Sequence, residues 1–218
     1  MNFLAHARHH LDADPWELAG TSLPDWLGAV DRRARVQLVH VEQMRGGDDP
    51  CAAVARGVWA HLEDDRWFHT TEAFTRLTAA LARRMRAACP EHPRLRASFL
   101  AHLLVEMLLD ATLDERGEVT FEAYYKALGR LDEGHLDAHG EALVGRPVPS
   151  LALAVRWFKN ARFLFGYRAD DALLRRLDGI ARRARQPPLP PGLLAVVPWA
   201  RTEVRRHAEQ LLTEGPTR

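Results

Sequence analysis

Apolar residues recur at intervals of three and four along most of this chain, which is the spacing of an amphipathic α-helix. The strict apolar–polar alternation of a half-buried β-strand does not recur. The densest apolar stretch is residues 99–109, inside a helix predicted from Pro93 to about Asp114, and its composition indicates deep burial. We therefore predict an all-α fold, a helical bundle.

Capping signals divide this pattern into separate helices. Asp14-Pro15 and Asp49-Pro50 each place a capping side chain before a proline at the first helical position. The first pair predicts a turn running towards Gly20, with a further turn and a short helix over residues 20–30, and the second predicts a long helix to about His69. Thr70 or Thr71 can cap the next helix, which ends near Pro90. The remaining predicted helices cover residues 2–11, 121–131, 150–165, 170–185 and 191–212.

The length of 218 residues suits one domain with a proper core, so residues 1–218 are predicted to form a single helical domain. Residues 186–192 (QPPLPPG) predict a stiff, proline-rich linker before a C-terminal helix. The segment after this linker is too short to fold alone.

Charge, cysteine content and the lengths of apolar runs argue against several classes of protein. A net charge of +1 argues against general electrostatic binding of nucleic acid. The two cysteines form no CxxC motif, and the N-terminal residues lack the apolar region of a signal peptide. No apolar run approaches the length of a membrane span. We expect a reduced, cytoplasmic protein that binds no membrane.

Arginine supplies almost all the positive charge, since lysine occurs only at Lys126 and Lys159. The arginines either lie on solvated helix faces or form a surface for phosphate or for an acidic protein. The sequence does not choose between these interpretations.

Two stretches repeat one chemical layout, with three ionisable side chains at steps of four residues. Such steps advance only about 40° around a helix, so each trio forms a ridge on one face. The first ridge is His61, Asp65 and His69, and the second is His102, Glu106 and Asp110. Glu63 and Asp64 lie off the first ridge and are interpreted as surface or supporting carboxylates.

Two facing ridges of imidazoles and carboxylates would form a metal site between helices. Mixed ligation of this kind suits Mn, Fe, Zn or Mg ions better than a thiolate-preferring metal. The alternative is a buried histidine–carboxylate network, or a ridge that faces solvent.

Three segments occur in the order seen in one enzyme family: MNFLAH at the N-terminus, GTSLPDW at residues 20–26, and GVWAHLEDD at residues 57–65. In this respect the chain resembles the acyl carrier protein phosphodiesterases, which carry a G-x-x-x-H-x-x-x-D motif. The matching positions are Asn2, Phe3, His6, Gly20, Asp25, Gly57, His61 and Asp65.

The resemblance implies a divergent HD-type, metal-dependent phosphohydrolase fold that releases 4'-phosphopantetheine from holo-acyl carrier protein with a divalent cation such as Mn²⁺. It places His6, Asp25, His61 and Asp65 at the active site. The family usually has a carboxylate where His69 stands and an Asp-His pair where this chain has Ala101-His102. We hypothesise that two carboxylates of the second ridge compensate, namely Glu106 and Asp110.

The expected metal ligands are Asp25, His61, Asp65, His102 and Asp110. His69 and Glu106 are candidates for proton transfer or ligation, and His6 for a phosphate or supporting contact. Three functions remain as alternatives: an acyl carrier protein phosphodiesterase, an HD-like hydrolase of a small phosphoester or nucleotide, and a non-catalytic helical module with a buried polar network.

Overall fold

The computed structural model describes residues 1–213 and confirms the all-α fold, because those residues contain no β-strand. The α-helices are α1 Phe3–Ala7, α2 Pro15–Val30, α3 Leu38–Met44, α4 Pro50–Phe68, α5 Glu72–Ala88, α6 Ala97–Arg116, α7 Phe121–Leu128, α8 Leu136–Val144, α9 Leu151–Ala161, α10 Asp170–Arg183 and α11 Val197–Thr213. Short 3₁₀ helices cover Glu133–His135, Phe163–Arg168 and Pro191–Val196. None of the described helices combines the length and apolarity that crossing a bilayer requires.

The contacts divide the chain into two compact units. The first unit consists of Phe3–Asp65 and Glu118–Phe163, and the second of Met1–Asn2, Arg66–Gly117 and the chain from Leu164 onward. Helix α4 belongs to the first unit up to Asp65, and its last turn belongs to the second.

In the first unit, α2 packs against α1, α7 and α9, and α8 packs against α3 and α9. Phe158 of α9 lies among aromatic rings, 4.9 Å from Phe3, 5.5 Å from Trp26 and 5.6 Å from Tyr125 between centroids. These side chains are buried, so their apolar surface fixes α2 and its neighbours in place.

In the second unit, α5 and α6 pack along each other, and α11 packs against both. Of the two predicted caps, Thr70 and Thr71, it is Thr71 that caps α5 by accepting a hydrogen bond from the Phe74 amide. Gly117 ends α6 in the left-handed conformation, with φ at 70°. The guanidinium of Arg168 donates two hydrogen bonds to the Asp114 carboxylate, which joins the 3₁₀ segment to α6.

The predicted turn at Gly20 is wrong, because α2 is a continuous helix from Pro15 to Val30. Gly20 instead faces Gly57 of α4, and a Cβ atom added at either glycine would overlap the backbone of the other helix. The two glycines therefore mark a close helix–helix contact in the first unit. This contact brings the backbone of α2 next to the ionisable side chains of α4.

Candidate metal centre

Three side chains of the first unit converge, and we call them the His6 cluster: His6, His61 and Asp65. One ligand atom from each lies within 4.8 Å of the others. His6 lies on α1, and the other two lie one turn apart on α4, as their spacing predicts. The Nε2 atom of His6 is 3.4 Å from Asp65 Oδ1, and that of His61 is 3.6 Å from Asp65 Oδ2.

Both imidazoles of the His6 cluster are anchored through their other ring nitrogen. His61 Nδ1 lies 2.8 Å from the Thr21 carbonyl oxygen, which can only accept, so Nδ1 carries the proton. His6 Nδ1 lies 3.2 Å from Asp64 Oδ2. In each ring the Nε2 atom is then turned towards Asp65. Metal-binding histidines show this arrangement, because an anchored N–H fixes the ring and leaves the opposite nitrogen for the ion.

Asp64 is the residue of this site that helical periodicity did not single out. The interpretation of Asp64 as a surface carboxylate is wrong, since only 3% of the residue is exposed. The alternative interpretation, that Asp64 supports a metal ligand, agrees with its contact to His6. The contact could not be read from the sequence because it joins two helices that are distant along the chain.

Burial and neighbouring charges shift the pKa values of all three residues of the His6 cluster. Burial, together with the neighbouring charge of His6, lowers the pKa of His61 to about 3, so His61 is neutral. Burial also opposes a charge on His6, but hydrogen bonds to Asp64 and Asp65 outweigh it and raise the His6 pKa. Burial works against ionisation of Asp65, yet the His6 hydrogen bond holds the pKa of that carboxyl far below its usual range. His61 is therefore neutral and Asp65 ionised, and His6 holds a proton more strongly than a free histidine does.

The donor set of the His6 cluster fits a divalent first-row metal ion. Two imidazole nitrogens and one carboxylate are ligands for Mn, Fe and Zn, and three protein ligands leave positions for water or substrate. Bonds of about 2.0–2.2 Å at tetrahedral angles place neighbouring ligand atoms about 3.3–3.6 Å apart. The two Nε2–carboxylate distances, 3.4 and 3.6 Å, lie in this range.

A second group of ligand atoms lies within the second unit, and we call it the Glu106 cluster: His69, His102 and Glu106. Glu106 Oε1 lies 2.9 Å from His69 Nε2 and 3.1 Å from His102 Nε2. The α-ammonium group of Met1 lies 3.2 Å from the same oxygen. Three nitrogen atoms therefore surround one carboxylate oxygen.

The surroundings of the Glu106 cluster differ from those of the His6 cluster. The side chains of His69 and His102 are 32% and 38% exposed, whereas Glu106 is nearly buried. The Phe74 ring packs against both imidazoles, with centroids 5.2 and 5.0 Å away. Burial alone would raise the pKa of Glu106, but the ammonium of Met1 and the two imidazoles outweigh it and lower that pKa. Glu106 is thus a buried anion, and its two imidazole neighbours are partly exposed at the surface.

The remaining predicted ligands, Asp25 and Asp110, belong to neither group of convergent ligand atoms among residues 1–213. Asp25 lies on α2 and is half-buried. Asp110 lies on α6 and is fully buried. His69 stands just beyond the end of α4 at Phe68, so the first ridge is interrupted by the end of its helix. The roles predicted for these residues in catalysis or ligation stay predictions.

No family model, no curated protein and no solved structure matches this chain.

Proposed function

We propose that this protein is a divalent-metal-dependent phosphoester hydrolase whose cation is held by His6, His61 and Asp65. One observation carries the proposal: two buried imidazoles, anchored at Nδ1, turn their Nε2 atoms towards the two oxygens of one carboxylate. Mixed imidazole and carboxylate ligation is typical of cations that act on phosphoesters.

The protein's own groups hold and orient the ligands. The Thr21 carbonyl fixes the tautomer of His61, and Asp64 accepts the Nδ1 hydrogen bond of His6. Asp65 is the least buried member of the cluster, with a side chain 32% exposed, so substrate would approach from its side. A bound divalent cation would lower the pKa of a water molecule and neutralise charge on the phosphoryl oxygens.

The resemblance to acyl carrier protein phosphodiesterases supports holo-acyl carrier protein as the substrate, with 4'-phosphopantetheine as the product and Mn²⁺ as the favoured cation; Fe, Zn and Mg are the alternatives. In this proposal the protein acts in the cytoplasm on an acidic carrier protein. An HD-like hydrolase of a small phosphoester or nucleotide is the second candidate, because the same cation site would serve either substrate.

The test is to measure Mn²⁺-dependent release of phosphopantetheine from holo-acyl carrier protein, beside hydrolysis of bis(p-nitrophenyl) phosphate. Wild type is compared with Asp65→Asn, which keeps the size of the side chain and removes its charge. His135→Ala is the control, since His135 is exposed in the same unit.

We expect Mn²⁺-dependent activity that falls at least about 100-fold in Asp65→Asn, because loss of mere supporting partners already costs about 10–100-fold. Cleavage of the generic diester alone would favour the second candidate. Absence of both activities from Mn²⁺-loaded wild type would contradict the proposal and favour the non-catalytic module.

A further inference from the structure

We propose that the Glu106 cluster is a second binding site for a divalent cation of the zinc class, Zn²⁺ or Co²⁺. The site goes beyond the proposed hydrolase function, because its ligands, His69, His102 and Glu106, all lie in the second unit. It would bind its ion whether or not the His6 cluster is catalytic.

The spacing of the ligand atoms fits a cation of this size. Bonds of about 2.0–2.1 Å place neighbouring ligand atoms about 2.9 Å apart in octahedral geometry and about 3.3 Å apart in tetrahedral geometry. The Nε2 atoms of His69 and His102 lie 2.9 and 3.1 Å from Glu106 Oε1. All three ligand atoms lie within 4.8 Å of one another, so small rotations of the rings would bring them around one cation.

The chemistry of the donors points to the zinc class. Two imidazoles and one carboxylate form a known ligand set for Zn²⁺, with further positions filled by water. Histidine Nε2 offers a lone pair to a metal when Nδ1 carries the proton, so His69 and His102 must each carry their proton on Nδ1 once an ion is bound. The cation would then replace the Met1 ammonium as the positive partner of Glu106 Oε1, which lies 3.2 Å from that ammonium.

Burial and packing distinguish this cluster from an ordinary surface group. Glu106 is nearly buried, so its negative charge attracts a cation through a medium that screens poorly. His69 and His102 are about one-third exposed, which gives an ion and its water ligands access from solvent. Phe74 packs on both rings and limits their rotation, so the ligands are partly oriented before binding.

The exposed fractions of the ligand side chains predict which of the two sites releases its ion faster. The side chains of His6 and His61 are 0% and 5% exposed, so an ion bound there is enclosed except on the side of Asp65, which is 32% exposed. An ion at the Glu106 cluster lies nearer to solvent. A chelator should remove it first.

The direct test is a Zn²⁺ titration of the full chain, followed by ¹⁵N–¹H correlation spectra of the histidine side chains. We expect the Nε2 resonances of His69 and His102 to shift together, and both rings to carry their proton on Nδ1 at saturation. Because the readout uses wild type, it does not depend on the folding of a variant.

Counting bound Co²⁺ by its visible absorption gives the matching test of stoichiometry. We expect Glu106→Gln and His102→Ala each to bind one ion fewer than wild type, while His92→Ala, an exposed control in the same unit, binds the full number. His61→Ala should also bind one ion fewer, but the ion lost is that of the His6 cluster. The variants therefore test the two sites separately.

Unchanged His69 and His102 resonances at saturating Zn²⁺ would overturn the proposal, and the cluster would then be a hydrogen-bonded network. Full Co²⁺ stoichiometry in both Glu106→Gln and His102→Ala would overturn it as well.

Discussion

The imidazole rings of His6 and His61 stack with their centroids 3.9 Å apart and their planes 22° from parallel. The stack joins α1 to α4, and it places two Nε2 atoms side by side above one carboxylate, Asp65. Stacking is tolerated because His61 is neutral, so the two rings do not both carry a positive charge. The paired rings are the central feature of the proposed metal centre.

Cation binding at the His6 cluster should weaken as the pH falls. Asp64 and Asp65 raise the pKa of His6 above its ordinary value of about 6.5, and a cation must displace that proton to bind Nε2. We expect the Mn²⁺ affinity to be constant above the raised pKa and to fall about tenfold per pH unit below it. Isothermal titration calorimetry in buffers of different ionisation enthalpy would also count the released proton. No proton release at pH 6 would contradict this assignment.

Asp64→Asn should shift that pH dependence to lower pH. The amide oxygen of asparagine can still accept the Nδ1 hydrogen bond of His6, but the negative charge that raises the His6 pKa is gone. The proton therefore competes less, while the affinity at high pH falls up to about tenfold because the ligand is less basic. Asp64→Ala, which also removes the acceptor, should lose about 10–100-fold. A pH midpoint unchanged in Asp64→Asn would show that Asp64 does not hold this proton.

Gly57→Ala should destabilise the first unit. A Cβ at Gly57 would overlap the backbone of α2 at Glu17 and Gly20, so the helices must separate. We expect a loss of about 1–3 kcal/mol in the free energy of unfolding, measured by urea denaturation. The matched control is Gly28→Ala on α2, where nothing lies within 4 Å of the added methyl group. It should be stabilising by about 0.5–1 kcal/mol, because alanine favours the helix. Equal effects of the two substitutions would contradict the close contact.

Ser22 and Tyr124 form a buried hydrogen bond of 2.8 Å between their hydroxyl groups, next to the Thr21 carbonyl that anchors His61. Tyr124→Phe should lower the free energy of unfolding by about 1–3 kcal/mol, because the Ser22 hydroxyl loses this partner while buried. The double variant Ser22→Ala, Tyr124→Phe should cost less than the sum of the single variants, as a double-mutant cycle in urea would measure. Strict additivity would mean that the two hydroxyls are not coupled.

The sequence predicts the helices well where local chemistry decides them. The cap at Asp49-Pro50 and the cap at Thr71 begin α4 and α5 as expected, and steps of four place His61 beside Asp65, and His102 beside Glu106. Two helices are not predicted from the sequence, α3 and α8. The correct predictions all concern residues within about one helical turn of each other.

Tertiary packing decides the rest. The glycine at position 20 favours a turn locally, but its packing against Gly57 keeps α2 helical. The partnership of His6 with Asp64 depends on how α1 meets α4, which no spacing along the chain specifies. The end of α4 at Phe68 separates His69 from the ridge its spacing predicts, and His69 contacts Glu106 instead.

The most direct test of the proposed metal centre is a count of bound Mn²⁺ by electron paramagnetic resonance at pH 8, in wild type and in Asp65→Asn. His135→Ala serves as the control, and circular dichroism verifies the helical fold of each protein. We expect Asp65→Asn to bind one Mn²⁺ ion fewer than wild type and His135→Ala to bind the same number. Wild type that binds no Mn²⁺, or Asp65→Asn that binds it as wild type does, would contradict a cation site at His6, His61 and Asp65.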